Sequence, residues 1–484
     1  MIKLLLADSL LCLAALSHAC IVEESSITFG QKLADAAKHD LLVAKVVATT
    51  ACDQEPMLTL QSTTGEKVEI RAYRSEPYAY ADGKALNYSR TAYFFRLEDI
   101  ALDREYHWSV QATNQIGPYT FKYRDKFEYN RFDYFVLSNV DASNKSLELF
   151  KHLEGTDWTQ FDALILNGNS AFNIEDSNGF VGDSFFKNLA PITSHVPFLI
   201  QAGPKDMIDE GRLLHYRFEM PGKSPNFGNH LYHFTQGPAK MVFINPNYYL
   251  LLNSTMRRVF LHELKEKLLS HDPSIWKIAF MTKSFICYDG EPECGTNMFE
   301  INPIYDVLLK FNVSLVVSSQ NSIYRKILNP RGFSVDSHVE YNPNRGRYVN
   351  GMNSMSQVVY GISGNALQNL SHTTNNIWKD VSNDTRNNLR LPEESFLKIS
   401  IHQLSIEVFL VDVKTNQTVD SLAIFRPSAT LNPTHSSSLL AFNLFLISPI
   451  ILIAILMMPM MLKQQPHASK RSPANNSDNN VTVD

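Results

Sequence analysis

The sequence predicts a layered α/β domain that follows an all-β domain, and three observations support this fold class. Residues 20–129 contain short β-like runs divided by turn-rich pieces, with no long helical period after residue 40. From residue 130 to about residue 330, apolar strands alternate with segments of helical apolar spacing. Residues 161–206 show this alternation most clearly, as strand, helix and strand. A chain of 484 residues also exceeds one ordinary core, so more than one domain is expected.

The first domain is predicted to be a small β-sandwich over residues 20–129. Its β-like runs lie at residues 41–48, 67–72, 91–96 and 106–112. Several short strands at this spacing, separated by turn signals, are typical of a sandwich.

The second domain is predicted to span residues 130–426. Its strands are expected near residues 135, 163, 196, 241, 277, 313 and 358, and its helices near residues 146–153, 185, 260 and 305. Residues 396–426 give two alternating runs, which predict a closing hairpin.

The two ends of the chain predict a single-pass membrane protein of the secretory pathway. Residues 1–19 resemble a signal peptide, and residues 439–462 give 24 residues without a charge. As a helix these would span roughly 36 Å, enough to cross a hydrocarbon core. Residues 427–438 are expected to form a stalk, and the polar residues 463–484 a cytoplasmic tail, which argues against a glycolipid anchor. The alternative for 439–462 is a buried core helix. The membrane is expected to be the cell surface or an endomembrane.

Charge and cysteine content narrow the classes of partner and compartment. A net charge of −5 does not favour nucleic acid. Cys20 with Cys52, and Cys287 with Cys294, could close as disulfides in an oxidising compartment. Seven glycosylation sequons lie on the proposed outer side, at Asn87, Asn144, Asn253, Asn312, Asn369, Asn383 and Asn416.

The turns after two strands of the second domain carry the clearest motifs. One reads Gly168-Asn169-Ser170-Ala171-Phe172-Asn173, and the other reads Gly203-Pro204-Lys205-Asp206. In open α/β sheets, ligands bind at such carboxyl-end turns. Residues 161–206 resemble the central block of the purple acid phosphatases, which are calcineurin-like metallophosphoesterases. That family has G-D-x-x-Y-N at the first of these turns and G-N-H-E at the second. The sequence from Arg217 to Gly222 similarly resembles the family's R-F-x-M-P-G, and the resemblance covers nearly all of residues 90–426.

The resemblance implies a fibronectin-III-like first domain and a phosphatase domain that hydrolyses phosphomonoesters at two metal ions. In the family seven ligands hold the metals, because a metal pair must polarise the phosphate and generate a hydroxide. All seven positions are replaced in this chain, and the histidine that contacts the substrate phosphate becomes Lys205. The residues at the seven ligand positions are Asn139, Asn169, Phe172, Pro204, Thr282, Gln320 and Ser322.

These replacements predict that no metal is held, no catalytic residue is retained and no cofactor is needed. Without the two carboxylate ligands and the phenolate ligand, the charge of the metal ions would not be compensated. Removing such uncompensated ions from water costs much free energy. The expected function is that of a catalytically inactive ectodomain that binds or scaffolds an unknown protein or an anionic ligand. A further interpretation is that Lys205 substitutes for the metal charge and keeps an anion pocket, whereas a lysine at a turn is more often solvated. The alternative is an acid phosphatase with displaced ligands and an Fe/Zn or Fe/Mn centre. The family often dimerises, so a homodimer is one option.

Other catalytic signals are weak. His262-Glu263 begins an H-E-x-x-H motif but lacks the second histidine, and no P-loop or nucleophile elbow is present in the sequence. The acidic residues 175–176 and 206–210 are expected to be solvated.

Overall fold

The computed structural model describes most of the chain between Cys20 and Phe425. The described residues are 20–29, 42–79, 89–98, 100–101, 103–124, 129–171, 174–177, 179–269, 275–284, 297–319, 324–328, 339–342, 347–350, 356–360 and 394–425.

Two four-stranded antiparallel sheets form the first part of the chain, as the sequence predicted. One sheet has the order β1-β2-β6-β5 and the other β4-β3-β7-β8. Residues of β2 are buried throughout, whereas β7 alternates between buried and partly buried positions, with Trp108 on its inner face. The strands are β1 Val22–Phe29, β2 Leu42–Ala48, β3 Met57–Ser62, β4 Lys67–Arg71, β5 Arg74–Ala79, β6 Ser89–Leu97, β7 Glu105–Gln111 and β8 Gln115–Lys122.

Two larger sheets form the second part. An eight-stranded sheet has the order β13-β11-β9-β22-β23-β24-β20-β19, and a six-stranded sheet has the order β14-β15-β16-β17-β21-β18; β10 and β12 pair separately. The strands are β9 Phe132–Leu137, β10 Val140–Asp141, β11 Ala163–Asn167, β12 Ser170–Ala171, β13 Phe198–Gln201, β14 Leu231–Gln236, β15 Ala239–Ile244, β16 Trp276–Met281, β17 Leu315–Ser318, β18 Tyr324–Leu328, β19 Val339–Asn342, β20 Arg347–Asn350, β21 Ser356–Tyr360, β22 Ser395–Ile401, β23 Ser405–Asp412 and β24 Thr418–Phe425.

The predicted closing hairpin was wrong in its strand count. Residues 396–426 hold three strands, β22, β23 and β24, paired antiparallel in that order. The sharp turn at residues 402–404 carries no Gly or Pro, so β22 and β23 looked like one alternating run.

Six helices lie among the described residues. The longer ones coincide with the helical spacing in the sequence; in α2, the buried face consists of Phe185, Phe186, Leu189 and Ile192 with their neighbours. Burying each of these phenylalanines contributes about 1.5–3 kcal/mol. The helices are α1 Asn144–Glu154, α2 Phe180–Thr193, α3 Arg212–Arg217, α4 Pro246–Leu251, α5 Ser254–Leu268 and α6 Asn297–Lys310.

The two large sheets meet at the carboxyl ends of their parallel strands. Strands β9, β11 and β13 run parallel in one sheet, and β15, β16 and β17 run parallel in the other. The buried side-chain amide of Asn167, the last residue of β11, donates to Met281 O at 3.1 Å and to Val317 O at 3.3 Å. Since these carbonyls lie in β16 and β17, Asn167 joins the two sheets beneath the turns that follow the strands.

A buried ion network joins the first β-domain to the helical layer of the second. Arg217 of α3 is fully buried, and its guanidinium donates to Glu24 Oε2 at 2.6 Å and contacts Asp183 Oδ1 of α2. Lys45 of β2 pairs with the same Glu24, and Arg90 of β6 pairs with the same Asp183 at 2.9 Å. Each carboxylate thus meets two cations, so the charges are compensated inside the interface.

The structure joins Cys20 and Cys52 by a disulfide. Four sequon asparagines are described, and all four are exposed, namely Asn144, Asn253, Asn312 and Asn416. Their glycosylation remains a prediction.

Several predicted features lie outside the described residues. They are the signal peptide, the stalk, the segment 439–462, the tail, Cys287, Cys294, and the sequons at Asn87, Asn369 and Asn383. Within the described ranges, no helix is both long and apolar enough to cross a membrane.

Candidate functional site

The candidate site lies where the turns after β9, β11 and β13 meet the ends of β16 and β17. Asn139 N donates to Gly168 O at 3.2 Å, and Gly168 N donates to Gln201 O at 3.0 Å. These backbone bonds hold the three turns, with Asn139, Asn169 and Pro204, side by side. Thr282 lies against Gly168 of the middle turn, so four of the seven predicted ligand positions come together.

Asn139 and Asn169 form a direct amide pair. Both residues are in the left-handed backbone region, with φ of 54° and 47°, which asparagine tolerates better than most residues. Asn169 Nδ2 donates to Asn139 Oδ1 at 2.7 Å, and Asn169 Oδ1 accepts from Lys205 N at 3.1 Å. The side chains at these two predicted ligand positions therefore bind each other and the adjoining turn.

The turns approach each other so closely that two positions admit only glycine. A Cβ on Gly203 would lie 2.2 Å from Asn169 N, and a Cβ on Gly168, at φ +85°, would lie 2.7 Å from Ser319 Oγ and 2.9 Å from Thr282 Cγ2. The Asn169 turn is thus packed between the Gly203 turn on one side and Thr282 with Ser319 on the other.

Replacing Gly203 by alanine tests this packing. Because the new methyl group would overlap backbone atoms, we expect the free energy of unfolding to fall by about 1–3 kcal/mol in urea denaturation. Gly155→Ala is the matched control, since a Cβ there meets nothing within 4 Å. A change within about 0.5 kcal/mol is expected for the control. Equal effects in the two variants would contradict the described packing.

Thr282 is buried and forms a side-chain hydrogen bond. Its Oγ1 accepts a hydrogen bond from Asn247 Nδ2 at 3.0 Å. Asn247 lies in the first turn of α4, whose N-cap is Asn245. The hydroxyl at this predicted ligand position is therefore bound to α4.

Pro204 and Lys205 open a short 3-10 turn, Pro204–Asp206, at the rim of the site. Both are exposed, and proline brings no side-chain donor or acceptor. Phe172, Gln320 and Ser322, the other three ligand positions, lie outside the described residues.

Asp206 was expected to be solvated, and this prediction was wrong. The residue is 1% exposed, and its Oδ2 accepts from Gly203 N at 2.8 Å and from Ser170 N at 3.0 Å. Burial raises the pKa of Asp206 to about 7, while backbone N–H groups of Gly203, Ser170 and Asn169 act in the opposite direction. Asp206 thus fastens two turns together. Asp206 is the third residue of the helical turn that Pro204 begins. An acidic side chain at that position commonly accepts hydrogen bonds from the N–H groups at the start of the turn.

The described side chains do not fit the dimetal centre that the resemblance implies. Metal ions of this type need carboxylate and imidazole ligands, whereas two of the described positions are mutually bonded amides and a third is a proline. Among the residues that the structure describes, no group of three or more His, Cys, Asp and Glu side chains is placed to hold a metal ion.

Comparisons with known proteins agree with the architecture. No family model matches the chain. A stretch of 177 residues is 24% identical to mouse (Mus musculus) acid phosphatase type 7; it covers 36% of this chain and 33% of that relative's length. Among solved structures, a purple acid phosphatase, PPD1, from yellow lupin seeds superposes with a TM-score of 0.63 at 16% identity, over 84% of this chain and 74% of that one.

A second solved structure, the Plasmodium inner-membrane-complex anchor GAP50, matches over 60% of this chain and 88% of its own length at 14% identity, with a TM-score of 0.40.

The sheet-rich architecture and the match to the lupin enzyme confirm the predicted resemblance. The chain has a purple acid phosphatase-like metallophosphoesterase fold.

Proposed function

We propose that this protein is a catalytically inactive purple acid phosphatase homologue whose ectodomain binds or scaffolds a partner. The observation that carries the proposal is the amide pair of Asn139 and Asn169, joined at 2.7 Å at the positions of two metal-binding carboxylates. A carboxylate has two acceptor oxygens, whereas each amide offers one oxygen, and here Asn169 directs its nitrogen at the oxygen of Asn139. Each amide oxygen thus already accepts one hydrogen bond, from Asn169 Nδ2 or from Lys205 N, where a metal ion would need a ligand.

Electrostatics supports the same conclusion. In the family, the charge of two metal ions is partly neutralised by two carboxylates and a phenolate, and here those three anions become Asn139, Asn169 and Phe172. Desolvating even one uncompensated ion costs on the order of tens of kcal/mol by a Born estimate. Lys205 adds a further cation at the rim of the turn. The ligand class that suits such a rim is anionic, so an acidic segment of a partner protein or a phosphate group is the expected contact.

We further propose that residues 439–462 anchor the ectodomain in a membrane of the secretory route and that the exposed sequons carry glycans. We also propose that the protein requires no cofactor. The support is the 24-residue uncharged run and the exposure of the four described sequon asparagines. A glycosidase that removes N-linked glycans should lower the mass of the protein from a eukaryotic host.

The competing proposal is an acid phosphatase that uses displaced ligands and an Fe/Zn or Fe/Mn centre. It is favoured by the likeness to acid phosphatase type 7, which covers 33% of that relative. Hydrolysis of a phosphomonoester across acidic pH, with and without iron, zinc or manganese, separates the two. We expect no activity above that of a mock purification. Activity that is lost in a chelator, returns with iron, zinc or manganese and exceeds that of the mock purification would establish the enzyme. Activity equal to that of the mock purification would indicate a contaminant.

A further inference from the structure

The two large sheets have a second edge, opposite the candidate site. Strands β9, β11 and β16 begin at this edge and end at the site. Strand β22 runs antiparallel to β9, with Ile401 opposite Phe132, so the turn at residues 402–404 lies at the same edge. Strand β24 also ends here, because Phe425 pairs with Ser405.

A continuous set of contacts connects this edge of one sheet to that of the other. Trp276, the first residue of β16, donates its indole N–H to His402 O at 2.7 Å. Trp276 also pairs with Ala239, the first residue of β15. The next residue of β15, Lys240, donates to Leu269 O, just after α5. Together these residues form one surface, the basal surface, which consists of Lys240, Leu269, Trp276, Lys277, residues 402–404 and Phe425.

Large apolar side chains are concentrated on the basal surface. Among the residues that the structure describes, six large apolar side chains are exposed, and three of these belong to the basal surface. They are Leu404 at 62%, Leu269 at 51% and Phe425 at 37% exposure. Leu404 and Phe425 are close neighbours, since Ser405 pairs with Phe425. A single exposed apolar residue needs no explanation, whereas three on one surface indicate a place of contact.

Positive charge accompanies these apolar side chains. Lys240 and Lys277 lie opposite each other on β15 and β16, whose backbones are about 4.8 Å apart. Lys277 donates to Phe311 O at 3.0 Å and Lys240 to Leu269 O, so both bind main-chain carbonyls. Within the described ranges, neither lysine forms an ion pair with a carboxylate. An ammonium group has three N–H donors, so each lysine retains donors for a phosphate oxygen.

The carboxylates at the same edge are compensated. Asp133, near the start of β9, and Asp162, just before β11, pair with arginine side chains at 2.8 Å and 2.9 Å. Glu266 in the last turn of α5 lies between Lys265 and Lys267 in the sequence. The charge of Lys240 and Lys277 is therefore not cancelled by these acidic residues.

The chain leaves the described part of the protein at the basal surface. Phe425 is the last described residue, and only the 13 residues 426–438 separate it from the uncharged run 439–462. Even when fully extended, 13 residues span at most about 45 Å. A membrane that holds residues 439–462 is therefore within this reach of the basal surface.

We propose that the basal surface lies on the phospholipid surface of the membrane that holds residues 439–462. Its three exposed apolar side chains enter the headgroup region, and its two lysines face lipid phosphates. Apolar side chains with lysines beside them are the composition that binds membrane interfaces. The point where the chain leaves favours a membrane over a second protein, because the linker keeps this surface within reach of the lipids. The inference rests on the membrane anchoring proposed above, and it places the candidate site on the side that faces away from the membrane.

Tryptophan fluorescence of the full-length protein in phosphatidylcholine vesicles tests this contact. Vesicles with brominated acyl chains quench an indole that enters the bilayer, and the emission of the unmodified protein is subtracted. An interfacial side chain lies about 5–10 Å deep, so the emission added by Leu404→Trp should fall by at least about half. Phe425→Trp exchanges one aromatic ring for another, and its added emission should fall in the same way.

Thr415→Trp is the matched control. Thr415 is exposed in the turn at the other end of the hairpin of β23 and β24. Eight residues of strand place it about 26 Å from the turn that carries Leu404. At that distance from the lipid, its added emission should fall by less than about a tenth.

A wash with alkaline carbonate separates this proposal from the anchoring. The vesicles should retain the unmodified protein, and its loss would overturn both the anchoring and the basal contact. If the protein is retained but Leu404→Trp and Phe425→Trp are quenched no more than Thr415→Trp, the basal contact alone is wrong. Emission at position 404 that bromine leaves unchanged, but that varies with the number of chains per vesicle, would identify a second copy as the occupant and would equally overturn the proposal.

Discussion

Replacing Arg217 by alanine is expected to lower the free energy of unfolding by about 3–5 kcal/mol, because it breaks a buried ion network and removes a fully buried side chain. The guanidinium is fully buried and contacts both Glu24 and Asp183. It also packs over the ring of Phe186 at 5.3 Å. Glu24 and Asp183 would keep one cation each, Lys45 and Arg90, but the interface would lose the residue that joins the two carboxylates. Urea denaturation at neutral pH measures the loss.

Lys187→Ala is the control for this prediction. Its ammonium pairs with Glu23 at 3.3 Å, and its side chain is 59% exposed. An exposed pair contributes only about 0–1 kcal/mol, so little change is expected. A loss in Arg217→Ala as small as that of the control would mean that the buried network does not hold the β-domain against the helical layer.

Converting Asn139 and Asn169 together into aspartates is expected to destabilise the protein by about 3–5 kcal/mol at neutral pH without metal ions. The two side chains are 3% and 8% exposed and touch at 2.7 Å, so two carboxylates would meet there as like charges. Repulsion and burial raise the pKa of such a pair in the folded state. The folded variant would bind more protons than the unfolded one, so its deficit should grow as the pH rises from 4.5 to 8.

The control replaces an exposed pair in the same way. Gln111 and Gln115 lie opposite each other in the β7–β8 hairpin, and Gln111→Glu with Gln115→Glu should cost below about 1 kcal/mol. Unfolding is followed in a chelator at both pH values, and phosphatase activity is assayed in parallel. The aspartate variant should remain inactive. Recovery of stability on addition of zinc or iron would contradict the account, because the frame would then still assemble a metal centre.

The periodic parts of the chain could be predicted from the sequence, and so could the glycine turns that follow two of its strands. In α2 the spacing of Phe185, Phe186, Leu189 and Ile192 is enough to place the helix, since all four are buried on one face. The turns at Gly168 and Gly203 follow buried strands, and their close approach explains why glycine stands at both positions.

Other features depend on contacts between distant residues, which no local pattern shows. Asp206 sits in an acidic stretch, and its burial follows from N–H groups of two separate turns. His215 and His230 are fifteen positions apart and meet only because α3 packs against the loop before β14. The division of residues 396–426 into three strands rests on a turn that has no Gly or Pro signal.

The central claim is that the chain holds no dimetal centre, and metal content per chain tests it most directly. The full-length protein would be purified without chelators and analysed for iron, zinc and manganese by elemental analysis, with Gly155→Ala carried through the same preparation as a reference. The account predicts a value near zero. A value near two metal ions per chain would contradict it and would establish that ligands other than Asn139, Asn169 and Thr282 hold the metals.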